Sequence, residues 1–320
     1  MTLRIGLLGA SRVAKYAAIA AAKDVEGVEI TAIASRDPDK ALSYARENNI
    51  ALAFGSYQDL IESDAVDAIY NGLPPNLHAQ WSIAAVEAGK DVLCEKPFAL
   101  DVSDVEAMLS AEAKTNRLIM EAQHTHYHPR HARIRQIVQS GQLGKIRHIE
   151  AQFDVPVPVS DEEIRWDGSV GGGAIWDLGI YPLYWLRATM GEEPTLVSAR
   201  HSLNNKGADI WTEATFSFPG GATGAIRSSM QRDFAAWLRI VGEAGELYVD
   251  NPLSPKLQTL NLTVEGVAKE ECFTERPTYS FQLEAFRDAI CDGKPVHTRG
   301  KDSLATISIL SEIRATANKE

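Results

Sequence analysis

Between residue 3 and about residue 122 the chain alternates short β-branched or apolar runs with amphipathic stretches, and no other feature constrains its fold as strongly. Antiparallel strands close through tight turns, whereas parallel strands need a crossover. Strand and helix in regular alternation therefore predict a parallel sheet wound by helices on both faces. Strands are expected at residues 3–8, 29–34, 67–70, 91–94 and 118–121. The intervening helices carry local signals: Asp37 before Pro38 reads as a cap and first helical position, and Gly89 closes a helix ending at Ala88. Ser103 is expected to cap the helix that runs to Thr115.

After Pro129 the texture changes. One helical stretch at 129–140 is followed by strand-like segments at 145–155, 195–202, 211–218, 224–230, 237–241 and 246–249. Turns such as Pro219-Gly220-Gly221 join them, which predicts a largely antiparallel sheet. Gly171-Gly172-Gly173 leads into an apolar helical stretch that reaches Met190. The last helices, at 280–291 and 303–317, are expected to pack back on the first domain or to cap the second. A chain of 320 residues, 45% of them hydrophobic, suits two domains. The expectation is an α/β domain at 1–122, a doubly wound parallel sheet, and an α+β domain at 123–320 built on a large, mostly antiparallel open sheet.

The net charge of −11, with no Lys or Arg stripe, excludes a phosphate-tracking surface, so no nucleic-acid partner is expected. No window approaches the ~18 uncharged apolar residues of a membrane span, and the first apolar run reads as a strand, so a cytoplasmic location is expected. The 3 cysteines, Cys94, Cys272 and Cys291, lack metal-type spacing and are expected to be buried, reduced thiols.

The chemistry begins where the first strand enters Gly9-Ala10-Ser11-Arg12-Val13-Ala14, a glycine fingerprint with Ser in the second glycine slot and Ala in the third. An ordinary βα turn accommodates such a sequence too. Its place after the first strand of a long alternation favours a dinucleotide whose pyrophosphate sits at the following helix N-terminus. At the end of the second strand, where a carboxylate would meet an NAD ribose, stand Ser35 and Arg36; a hydroxyl and a guanidinium suit a 2′-phosphate, with Lys40 as further support. NADP is therefore expected over NAD, although Asp37 turned back to a ribose would admit NAD, and Arg36 also reads as a solvated surface residue. Ligands of open α/β sheets bind beyond the C-terminal strand ends. There the chain places Asn71, Leu73, Pro74, Asn76 and His78, then Glu95 and Lys96, then His124.

Taken together, the Gly9 fingerprint, Pro75-Asn76-Leu77-His78, Glu95-Lys96-Pro97, Gly171-Gly172-Gly173 with Asp177-Leu178-Gly179-Ile180-Tyr181, and Gly293-Lys294-Pro295 resemble the Gfo/Idh/MocA oxidoreductases over essentially the whole chain. The resemblance implies a Rossmann domain, a second domain whose sheet makes a homodimer or homotetramer, and a cleft holding nicotinamide beside a polyol. It also implies that Lys96 contacts the reacting oxygen and that Glu95 lies near the nicotinamide ribose. Many relatives have His where this chain has Tyr181. The Tyr form resembles the branch containing dimeric dihydrodiol dehydrogenase, xylose dehydrogenase, glucose-fructose oxidoreductase and some ketosugar reductases. Where relatives often read Tyr-Arg-Phe-x-Pro, this chain reads Thr125-His126-Tyr127-His128-Pro129, which puts His126 in the place of a substrate-contacting Arg.

Hydride transfer to a carbonyl leaves an alkoxide that needs a proton and a nearby cation, roles that suit Tyr181 and Lys96. Tyr181 also reads as a core aromatic beside Tyr184 and Trp185, and Lys96 as a surface lysine in a turn. Asp177, one helical turn before Tyr181, is expected to orient the substrate or tune Lys96, and reads equally as a helix-start residue. Arg165 and Trp166 are expected to wall the nicotinamide, with Trp166 stacking on a sugar face. The run His124, His126, His128, His131 lacks a carboxylate or Cys at matching spacing, so no metal is expected. The expected activity is NADP-linked hydride transfer to or from a sugar, polyol or trans-diol. The rivals are an NAD-linked inositol-type dehydrogenase, a non-catalytic dinucleotide-binding sensor, and a reductase of a conjugated ligand.

Overall fold

The computed structural model describes residues 2–160, 162–254 and 259–319. Packing divides the chain into two compact units, Met1–His124 with Pro277–Ile307, and Thr125–Arg276 with Ser308–Glu320.

In the first unit six strands form one parallel sheet: β1 (Leu3–Leu8), β2 (Val28–Ala34), β3 (Leu52–Phe54), β4 (Ala68–Asn71), β5 (Asp91–Cys94) and β6 (Ile119–Glu121), in the order β3-β2-β1-β4-β5-β6. The order reverses between β1 and β4, which makes their C-terminal edge the switch point where a ligand finds a crevice. The central strands are closed on both faces; Leu7, Leu8, Ile33, Ile69 and Leu93 are fully buried. Strand β3 was not expected: three residues are too few to show a period, and only pairing of its Leu52 to Phe54 with Ala32 to Ala34 defines it. Helices α1 (Pro38–Asn48), α2 (Tyr57–Glu62), α3 (His78–Glu87) and α4 (Val102–Thr115) supply crossovers. Helix α1 starts as read, with Asp37 Oδ1 accepting from the amides of Asp39 and Lys40. Helix α4 does not. Asp101 caps it, accepting from Asp104 N at 2.9 Å, while the Ser103 hydroxyl donates to the Asp101 carboxylate at 2.7 Å. The stronger acceptor, two residues earlier, takes the cap.

The second unit carries α5 (Pro129–Gln139), β7 (Ile146–Asp154), α6 (Ile180–Met190), β8 (Thr195–Leu203), β9 (Asp209–Ser217), β10 (Thr223–Ser229), β11 (Ala235–Gly242), β12 (Gly245–Asp250), β13 (Thr259–Val264) and β14 (Val267–Cys272). With the terminal β15 (Asn318–Lys319), the strands form a sheet ordered β14-β13-β12-β11-β7-β10-β9-β8-β15, antiparallel except where β7 meets β10 and β8 meets β15. Strands β13 and β14 escaped the sequence reading because β14 is an edge strand with charged, mostly exposed residues.

Helix α7 (Thr278–Asp292) lies in the first unit, where Ser280 Oγ donates to Asp24 and the Arg287 guanidinium to Glu26 O. Thr298 Oγ1 donates to Glu121 O at the end of β6. Helix α8 (Lys301–Thr316) is divided between the units at Ile307. Among the described residues no helix is long and apolar enough to cross a membrane. Cys94 is buried as expected, but Cys272 and Cys291 are exposed, because they end the edge strand β14 and lie in the last turn of α7.

Candidate active site

Each unit presents its own group of polar side chains. In the first they come from the loops after the parallel strands. Gly9 turns the chain at φ +87°, a left-handed conformation open to glycine, and a Cβ there would meet the Leu73 side chain at 2.9 Å. The loop Ala10, Ser11, Arg12, Val13 then enters a π-helical turn at Lys15–Ala20, whose first amides donate to Arg12 O and Val13 O. From α1, the Tyr44 hydroxyl donates to Ser11 O at 2.9 Å and so fixes the loop from behind; burial pushes that phenol up to about 12. Ser35 is buried while Arg36 and Lys40 are exposed, and the Asp37 carboxylate is engaged by the two cap amides.

At the end of β5, Glu95 is buried and accepts from the Tyr70 hydroxyl at 2.6 Å and from Lys96 N at 3.3 Å. Burial, and then the Glu95 carboxylate, push the Tyr70 phenol far up, so Tyr70 stays a proton donor. Lys96 is half-buried and is followed by a cis peptide bond to Pro97. Next to it, His124 is 2% exposed; its Nδ1 is 2.7 Å from Thr278 Oγ1 and its ring stacks on Tyr279 at 4.0 Å. Burial, with the Lys96 ammonium second, pushes the His124 imidazole down to about 3.

Two expected cofactor contacts turn inward instead. His78 is 1% exposed, with Nδ1 2.7 Å from Pro97 O and Nε2 2.8 Å from Leu73 O. Asn71 is fully buried and donates to His78 O and Ser82 Oγ. Both side chains build the loops rather than line them, because their polar atoms are the nearest partners for backbone groups that would otherwise be buried unpaired. Leu73 is buried, Pro74 half-buried and Asn76 exposed on the same loop.

In the second unit the glycine triplet seats a helix. A Cβ on Gly172 would stand 2.5 to 2.7 Å from the carbonyl oxygens of Ile164, Arg165 and Asp167, so only glycine lets that turn fold over this point. The π-helical turn Ile175–Gly179 follows and continues as α6. Its start is held by Asp209 of β9, whose buried Oδ2 accepts from Ile175 N at 2.8 Å and from Thr212 Oγ1 at 2.7 Å. Asp177 and Tyr181 ride on this seated segment. Asp177 faces Arg165 at 3.7 Å, and Arg165 also pairs with Glu163 through two nitrogens at 2.9 and 2.7 Å. Arg165, proposed from sequence for the cofactor, is thus held by two carboxylates. Tyr181 meets the Phe153 ring edge-on at 5.7 Å and Trp185 at 6.3 Å. Trp166 corrects an expectation. It packs with Val157, Ala174, Leu178 and Met230, and Nε1 donates to Pro158 O, so the indole is a core side chain rather than an open platform.

The histidine run disperses. His126 Nδ1 lies 2.8 Å from the Tyr184 hydroxyl, His128 3.2 Å from Thr274 O, and His131 3.2 Å from Pro252 O. Among the described residues no group of three or more His, Cys, Asp or Glu is arranged to hold a metal ion. Sequence reading missed Tyr44, Tyr70, Tyr279 and Asp209, each of which acts from an element remote in sequence from the group it holds.

Comparison with known proteins identifies the family and the fold. Residues 3–124 match the oxidoreductase family with an NAD-binding Rossmann fold, and residues 131–248 match the GFO/IDH/MocA C-terminal domain. The chain is 34% identical to an uncharacterised oxidoreductase of Rhizobium meliloti over 99% of its own length and 97% of the relative's. It is 32% identical to the dTDP-3,4-didehydro-2,6-dideoxy-alpha-D-glucose 3-reductase of Saccharopolyspora spinosa, covering 84% of this chain and 81% of that one. The crystal structure of the 3-ketoreductase KijD10 from Actinomadura kijaniata, in complex with NADP and TDP-benzene, superposes with a TM-score of 0.91 at 27% identity, covering 100% of this chain and 99% of that one.

Proposed function

Because the chain belongs to the GFO/IDH/MocA oxidoreductase family, we propose that it transfers hydride between NADP and the hydroxyl or carbonyl carbon of a sugar, polyol or trans-diol. The observation that carries the cofactor choice is the engagement of Asp37. Its Oδ1 accepts the amides of Asp39 and Lys40, which holds the carboxylate to the start of the helix, while Arg36 stands exposed beside it for a 2′-phosphate. The Gly9 turn fits the same ligand, since its φ of +87° makes the tight glycine turn that a dinucleotide fingerprint needs.

When bound, NADP supplies or accepts the hydride. In the reductive direction the carbonyl carbon gains hydride and its oxygen becomes an alkoxide. The Lys96 ammonium stabilises that charge, and the Tyr181 hydroxyl delivers the proton that completes the alcohol; oxidation reverses both steps. Asp177 and His126 orient the substrate. Glu95, held by Tyr70, keeps the Lys96 backbone in place. The family resemblance extends the reading to pairing of copies through the large sheet as a homodimer or homotetramer.

The test is a fluorescence titration with NADPH and NADH followed by turnover of aldoses, ketosugars and trans-diols. Tighter NADPH binding with turnover of at least one substrate class is the expected outcome. Binding of neither cofactor would overturn the reading.

A further inference from the structure

His78 sits in the first turn of α3, 1% exposed, between two loops that leave neighbouring strands. Nε2 faces Leu73 O on the loop after β4, at 2.8 Å, and Nδ1 faces Pro97 O on the loop after β5, at 2.7 Å. Each loop has its own task in the proposed reaction. Leu73 packs against Gly9 of the phosphate turn, its side chain 2.9 Å from where a Cβ would stand, and Pro97 is the residue bonded to Lys96. The His78 main chain adds a third link, since its carbonyl accepts from the Asn71 side chain at the end of β4. We infer that His78 is a positioning residue that ties the cofactor loop to the Lys96 loop, its two ring nitrogens setting cofactor affinity and turnover separately.

The inference rests on the functional reading above for the task of each loop, but the tie itself does not. Both partners are carbonyl oxygens, which only accept, so a neutral ring donates to one at a time, and the two contacts favour the doubly protonated ring against the burial that lowers its pKa to about 4. A side chain with a single donor at one of the two positions separates the roles. His78→Asn keeps a donor near the place of Nδ1, for Pro97 O; His78→Gln keeps one near Nε2, for Leu73 O; His78→Leu keeps neither.

Amide hydrogen exchange on the substrate-free protein reads the tie directly. Exchange is expected to quicken over residues 72–76 in His78→Asn, over 96–99 in His78→Gln, and over both in His78→Leu. In turnover, His78→Asn is expected to weaken NADPH about ten-fold with kcat within about 3-fold of wild type. His78→Gln is expected to lower kcat on the order of ten- to a hundred-fold, as misplacement by an ångström does, with NADPH affinity within about 3-fold. Should His78→Leu fail to fold, the two single-donor variants still decide. Equal effects of the Asn and Gln variants on both segments, or none on either, would overturn the tie. A wild-type protein that binds no NADPH, beside variants that show the split in exchange, would keep the tie and overturn the functional reading instead.

Discussion

The two units present their chemical groups by different physical means. In the first, Gly9, Ser35 and Glu95 follow directly on parallel strands whose ends all point to one edge, so the backbone itself delivers the site. In the second, Asp177 and Tyr181 lie on one helical segment that is held in place by what it starts against: a turn folded over Gly172 and the carboxylate of Asp209. The difference teaches where function and stability separate. Changes at the strand-end loops should alter binding while the sheet survives, whereas changes at the helix seat should damage folding and chemistry together.

The largest effect is expected at the helix itself. Tyr181→Phe should lower kcat by on the order of 10²- to 10⁴-fold, the usual worth of a positioned acid, with NADPH affinity unchanged in the titration. An unaffected kcat would remove the second unit from the chemistry. Next comes the seat. Gly172→Ala sets a Cβ against three backbone carbonyls that have nowhere to move, and should cost about 3 kcal/mol or more in urea unfolding. Because Gly9→Ala puts its strain in a loop, that variant should lose NADPH binding for a cost of only about 1 to 2 kcal/mol. Equal losses of stability in the two variants would erase the contrast between the units.

Acid should act on both. Burial holds His78 and His124 of the first unit at about 4 and about 3, and His128 of the second at about 4, all below the ~6.5 of an unfolded chain. Between these values the unfolded state binds more protons, so the stability is present above about pH 6.5 and is lost as pH falls. The loss should be about 2 kcal/mol for each fully buried ring by pH 5, and less for the partly buried His128. Urea midpoints at pH 5, 6 and 7 give the check, and a flat profile would mean the rings open to water at little cost. The smallest effect is expected at the rim: Arg36→Ala should weaken NADPH about ten-fold, ~1.4 kcal/mol, and leave NADH unchanged.

Much of the first unit was legible in the sequence. Runs of apolar residues bounded by Gly, Pro and Asp mark a buried parallel strand locally, and the strand-end rule then places the chemistry without further knowledge of packing. The failures there were of tertiary origin. The three residues of β3 become a strand by pairing alone, and Ser103 lost the cap to a carboxylate two residues away. His78 looked like a cofactor ligand because linear order says nothing of which way a loop side chain turns. In the second unit Asp177 and Tyr181 were reached through resemblance, since the reason for their placement, Asp209 on β9, lies 34 residues from the amide it holds. Trp166 was misread for the same reason: an indole next to a glycine triplet is open or packed according to partners such as Met230 that no local pattern reveals.

The return of α7 to the first unit bears on how the protein is made. A ribosome finishes β1 to β6 long before it reaches Thr278, so the parallel sheet must wait through the synthesis of some 150 further residues for the segment that covers Asp24 and Glu26 and stacks Tyr279 on His124. The sheet that binds the cofactor is begun first and completed close to last. A fragment ending at His124 should therefore carry an unclosed apolar flank and gather into oligomers, and supplying residues 277–307 as a separate peptide should reverse that.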